Sequence, residues 1–130
     1  MMREFSVLIA KLAGWFDLAI AIGHVLLPWL FMWRRSGDAA RARDESLMRD
    51  LNWQVALVSA GFAFLLIRNA ERGLVSGAWG DVLLVMALFW AARAGLQAYY
   101  FGLTHWFSRV MVAVFLTGAG LHLFPVIATW

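Results

Sequence analysis

The chain contains no cysteine. That excludes a disulfide framework, a thiolate metal site and a cysteine nucleophile. Charge is also scarce. Only 15% of the residues are Asp, Glu, Lys or Arg, and lysine occurs once against ten arginines. No HExxH pair, no paired carboxylates within an apolar run and no glycine-rich loop leading to Lys-Ser/Thr can be found. Ser59 and Thr117 lack a recognisable base and orienting partner, so no nucleophilic site is visible. The net charge of +3 comes almost wholly from arginine, and no soluble basic domain carries it. Nucleic acid is therefore excluded as a partner. The arginines fall where membrane loops would lie, which suits headgroup contact and topology.

What fills the chain is apolar. Hydrophobic residues make up 63% of its 130 residues, against about 45–50% in soluble domains. An ordinary core of this length cannot bury the excess. Leu12–Trp33, Leu51–Ile67, Val82–Leu103 and Trp106–Trp130 are nearly free of charge and approach the roughly 20 apolar residues a crossing helix needs. The pattern predicts a single all-α membrane domain over 1–130, a four-helix transmembrane bundle with both termini on the same side. The helices are expected at about 7–33, 51–69, 80–103 and 106–129, joined first by a polar loop, 34–50, that turns helical toward its end. The first span is too long and lacks a clear cleavage site for a signal peptide, so it is expected to be retained. Phe101–Trp106 is so short that the last two helices should form an antiparallel hairpin. Trp29, Trp33, Trp53, Trp79, Trp106 and Trp130 fall at or near span ends, as an aromatic belt would. Gly14, Gly23, Gly61, Gly95, Gly118 and Gly120 suit close helix packing.

Orientation follows from arginine. One face would hold Arg34, Arg35, Arg41, Arg43, Arg49 and Arg109; the other would hold Arg3, Lys11, Arg68 and Arg72. The positive-inside rule puts loop 34–50 in the cytoplasm.

A few polar residues interrupt the spans. Arg93 stands near the middle of the third. Its guanidinium stays protonated, and placing it there costs at least about 2.5–3.5 kcal/mol. Asp17 and His24 are two turns apart on one face of the first helix. Trp90 and Gln97 share the face of Arg93. His122 lies at roughly the depth of Asp17. Asp17, His24, Arg93, Gln97 and His122 thus form the expected buried polar cluster, with Asp17 the expected counter-ion of Arg93. Pro28 and Pro125 have no N–H, so the carbonyls of His24 and Leu121 lose their helical donors. His105, at the hairpin, suits lipid phosphate together with Arg109.

Three functions stay open on these residues. The first is an accessory or scaffold subunit holding a lipid-like or anionic ligand, with membrane lipids and other membrane subunits, or further copies of the chain, as partners. The second is a redox subunit binding quinone, or haem through His24 and His122, imidazole being a common axial ligand. The third is a lipid-modifying enzyme in which His24 is the base and Arg93 and Gln97 grip the substrate.

The run FWAARAGLQAYYF at 89–101 resembles an FW-x-x-R-x-x-x-Q-x-x-x-F pattern of an uncharacterised family of small bacterial four-helix integral membrane proteins. His24, Pro28, Trp33 and Arg34 of the first helix, and Arg49 and Trp53 of the second, are similar to that family as well. The resemblance implies four helices and a site near His24, Arg93 and Gln97. It implies no reaction, and it does not extend to Asp17 or His122. In layout alone the chain also resembles the four-helix scaffold proteins of eukaryotic sterol synthesis.

Overall fold

A computed structural model describes the backbone of residues 1–30, 39–73 and 77–129. Four helices account for nearly all of it: α1 (Met2–Leu30), α2 (Ala39–Gly73), α3 (Gly77–Phe101) and α4 (Trp106–Thr129). Each contains a stretch long and apolar enough to cross a bilayer. α2 begins at Ala39 and so takes in most of the segment read from sequence as loop 34–50, well beyond the helical end expected there. α1 starts earlier than expected, at Met2, because Glu4 is followed by an unbroken helix-compatible run. Trp33, Arg34, Arg35 and Trp130 lie outside the described residues, as do the side chains of Arg41 and Arg43.

Apart from the charged first third of α2, the helices are apolar all round, which in a chain this small means that lipid covers the outer surface. Leu57, Val85, Leu88 and Ile127 all point outward, each more than half exposed. Inside, two clusters stack along the bundle. Ala13, Leu66, Leu83, Met86 and Val126 form one. Trp90, Ala94 and Phe115 form the other, with Phe16, Ile20 and Phe89 against them. Between these large side chains, small residues let helices come close at particular points. A Cβ on Gly14 would stand 2.9 Å from Ile67 Cγ1 and 3.2 Å from the Ile67 nitrogen, so α1 and α2 meet there almost backbone to backbone. Gly118 on α4 instead makes room for side chains, the rings of Phe16 and Trp90. Gly23, Gly61, Gly95 and Gly120 do not fit the expectation of close packing, since nothing lies within 4 Å of where their Cβ would be. They fall on faces turned away from neighbouring helices.

Packing around the bundle is uneven. α1 packs closely on α2 and also on α4, and α3 packs closely on α4; α2 and α3 scarcely approach each other. The bundle is therefore two antiparallel hairpins joined along α1 and α4, with a looser seam between α2 and α3. Both termini lie at one end, where Phe5 and Phe124 meet edge to face at 5.5 Å. Near that end Lys11 Nζ pairs with Glu71 Oε1 at 2.6 Å.

The α3–α4 hairpin shows how few residues are needed to reverse the chain. Gly102 adopts φ +66°, and its N–H donates to Ala98 O at 3.0 Å. A left-handed residue just past a helix end closes the last turn in this way, and glycine takes that conformation without a Cβ penalty. Ser108 Oγ then donates to Gly102 O at 2.6 Å, and Gln97 Nε2 reaches Ser108 Oγ at 3.4 Å. Ser108→Ala removes both bonds and takes the side-chain donor from the Gly102 carbonyl. The expected loss is about 1 kcal/mol, read as a lower midpoint for unfolding in a dodecyl sulfate titration.

Candidate functional site

Asp17 and His122 are both fully enclosed, between the two apolar clusters. Asp17 Oδ1 accepts from Trp90 Nε1 at 2.9 Å. Its Oδ2 lies 3.0 Å from His122 Nε2. His122 Nδ1 lies 2.7 Å from Gly118 O. A carbonyl can only accept, so Nδ1 carries hydrogen. The remaining contact, between Nε2 and a carboxylate oxygen, needs one proton between them. Whichever atom holds that proton, the pair as a unit is electrically neutral. That suits a site from which water and lipid headgroups are excluded. One aspartate on α1 thus ties α3 and α4 together through two side chains, and every polar atom of the three is used.

This arrangement corrects the expected Asp17–Arg93 ion pair. Trp90 and His122 already occupy both carboxylate oxygens, and among the described residues Asp17 and Arg93 make no ion pair. The same geometry bears on haem. Both ring nitrogens of His122 are engaged, so neither offers a lone pair to iron without dismantling the cluster. The residues present do not fit a haem held between His24 and His122. Among the described residues, no group of three His, Asp or Glu side chains is placed to hold a metal ion.

Arg93 lies elsewhere. Its guanidinium carbon sits 5.3 Å from the centroid of the Phe115 ring. Its Nε is buried and has no hydrogen-bond partner among the described residues. His24 lies within electrostatic reach of it. The His24 ring places Nδ1 2.9 Å from Ile20 O, so Nδ1 donates and Nε2 is left as an acceptor. The carbonyl of His24, deprived of its donor by Pro28, is taken by Asn52 Nδ2 at 2.6 Å. α1 remains helical through Pro28 because α2 supplies the missing donor. Gln97 is on the same side of α3 as Arg93, but its amide is turned to Ser108 in the hairpin.

The expected cluster of five therefore separates into three parts: Asp17 with His122, Arg93 near His24, and Gln97 in the turn. Sequence reasoning missed the parts played by Trp90, Asn52 and Ser108. A signal for Trp90 was present. It stands in mid-span, far from the belt at which tryptophan usually sits, so its N–H needed an internal acceptor. No protein-family model, curated protein or solved structure matches the chain.

Proposed function

We propose that this small membrane protein is an accessory or scaffold subunit that holds a lipid-like anionic ligand at Arg93. One observation carries the reading: the Arg93 Nε is buried without an acceptor. An intramembrane arginine costs at least about 2.5–3.5 kcal/mol, and a cation–π contact such as that with Phe115 returns about 0.5–2 kcal/mol. An anion beside the guanidinium would offset the difference. The Asp17 cluster is self-contained and serves the fold, which leaves Arg93 as the buried cation with binding capacity to spare.

The reading is one of binding and not of turnover. Ser59 Oγ has no partner, and Thr117 Oγ1 donates to Ala113 O at 2.9 Å, so neither hydroxyl is paired with a base. The likeness of Phe89, Trp90, Arg93 and Gln97 to the small four-helix bacterial family supports a site at this level of α3. In this reading loop 34–50 faces the cytoplasm of a bacterial inner membrane. Lipids and other membrane subunits, or further copies of the chain, are the partners.

The test is native mass spectrometry of the protein released from mild detergent. Wild type is expected to carry an anionic amphiphile or an associated subunit. Arg93→Leu is expected to lose it, by tenfold or more in bound fraction, at unchanged helix content. Equal retention of lipid and equal assembly in wild type and variant would remove Arg93 from the function.

A further inference from the structure

Two buried side-chain atoms have no hydrogen-bond partner among the described residues, and they belong to different helices: Arg93 Nε on α3 and Ser59 Oγ on α2. Their relative position can be read from a contact that joins the same two helices. Phe62 and Phe89 meet edge to face, with centroids 5.5 Å apart. α2 and α3 run in opposite directions. Ser59 precedes Phe62 by three residues, and Arg93 follows Phe89 by four. Residues three or four apart share a helix face. At 1.5 Å per residue, both lie about 4.5–6 Å from the aromatic contact, displaced in the same direction. The two orphaned atoms therefore sit at one level, on the two helices that flank the loose seam.

Ser59 is unusual on its own account. A helical hydroxyl in apolar surroundings ordinarily donates to the carbonyl four residues back. Ser6 does so to Met2, and Thr117 to Ala113. Ser59 is completely enclosed and does not. Polar atoms left unpaired in such a place are uncommon. Two at the same level, on the pair of helices that packs least closely together, point to a third group between them.

We infer that the acidic group of a singly charged anionic amphiphile sits in the α2–α3 seam, its oxygens accepting from both Ser59 Oγ and Arg93 Nε. This rests on the reading of Arg93 as a ligand site and adds its second anchor. Both protein atoms are donors in this arrangement, so the group between them must accept. One guanidinium is present at this level, so one negative charge balances it. A carboxylate and a phosphodiester both meet these terms. Both orphaned atoms are themselves enclosed, so the loose seam parts to admit the acidic group; Arg93 as a whole is only half-buried, which leaves the tail of the ligand in the bilayer at this level.

The test uses the full chain in dodecyl maltoside, freed of co-purified lipid and titrated separately with oleate, dioleoyl phosphatidylglycerol and dioleoyl phosphatidylcholine. Binding is read by native mass spectrometry. Wild type should bind oleate or phosphatidylglycerol at least tenfold more tightly than the zwitterionic lipid. Preference for oleate identifies a carboxylate ligand, and preference for phosphatidylglycerol a phosphodiester. Ser59→Ala should weaken that binding about tenfold, and Arg93→Leu should abolish it. If Arg93→Leu does not fold, Arg93→Lys keeps the charge, loses the Nε donor and should likewise weaken binding about tenfold. Loss in the Arg93 variants with none in Ser59→Ala would overturn the bridging role of Ser59 and leave the Arg93 reading standing. No preference of wild type for either anion would overturn both.

Discussion

Asp17→Ala is expected to destabilise the bundle by about 2–4 kcal/mol, while Asp17→Asn stays within about 1 kcal/mol of wild type. Alanine strands Trp90 Nε1 and His122 Nε2 in an enclosed site. In water-soluble cores, removing one partner of a buried pair costs about 3–5 kcal/mol. Single hydrogen bonds between helices in a bilayer average about 0.6 kcal/mol and reach about 1.7. Asp17 makes two bonds, one of which shares a proton, so the expected loss falls between those limits. Asparagine has the same shape. Its carbonyl can accept from Trp90, and its NH₂ can donate to the free lone pair of a neutral His122 whose Nδ1 hydrogen already points at Gly118 O. Unfolding by dodecyl sulfate, followed by tryptophan fluorescence and by helical circular dichroism, measures both variants. If alanine and asparagine lose equal stability, the negative charge itself and not the bonding pattern is what matters at this position.

The second large effect is at Gly118. A Cβ there would stand 2.5 Å from Phe16 Cε1, 2.8 Å from Phe16 Cζ and 3.1 Å from Trp90 Cγ. The Phe16 ring is only partly buried and can yield in part, but Trp90 behind it is fully enclosed. Phe16 is set edge to face against Trp90 at 5.3 Å, and the next residue along α1 is Asp17. A ring displaced by the new methyl would push on the clasp. In a helix, glycine to alanine ordinarily gains up to about 1 kcal/mol from backbone entropy; overpacking costs about 1–3 kcal/mol. Gly118→Ala is therefore expected to be a net loss of about 1–2 kcal/mol, and Gly118→Val a larger one. Gly120→Ala is the control, since nothing lies within 4 Å of its Cβ position. It should be neutral or slightly stabilising in the same titration. A Gly118→Ala variant that gains stability as Gly120→Ala does would mean that Phe16 is free to move.

The fold class was legible because its signal is composition and length. Four charge-poor runs of bilayer length leave few alternatives, and the extreme shortness of the third connection fixed the final hairpin. The partners of the buried polar groups were less legible. Depth along a helix can be counted from sequence, and on that count Asp17 and His122 were placed at one level. Which faces meet across the bundle cannot be counted the same way. Arg93 attracted the search for a carboxylate because a charge in mid-span demands an explanation, and Asp17 was the obvious candidate. The carboxylate instead pairs with two other side chains, one of them a neutral indole. Ser59 and Asn52 are ordinary polar residues in a sequence. Only the packing shows that one is left without a partner and that the other supplies the donor that Pro28 removed.

The clasp also has an order in time. A chain emerges from its N-terminus, so α1 and α2 are made before α3 and α4 exist. Through that interval Asp17 has neither Trp90 nor His122, since both belong to the second hairpin. A membrane aspartate without partners is penalised by about 2.5–3.5 kcal/mol on the insertion scale. The first hairpin alone is thus a strained guest in the bilayer, and docking of the second relieves it. A molecule arrested half-made, or mated to the wrong hairpin, would expose an acidic side chain to lipid. Such a flaw marks the unfinished product for any surveillance that reads polarity inside a membrane.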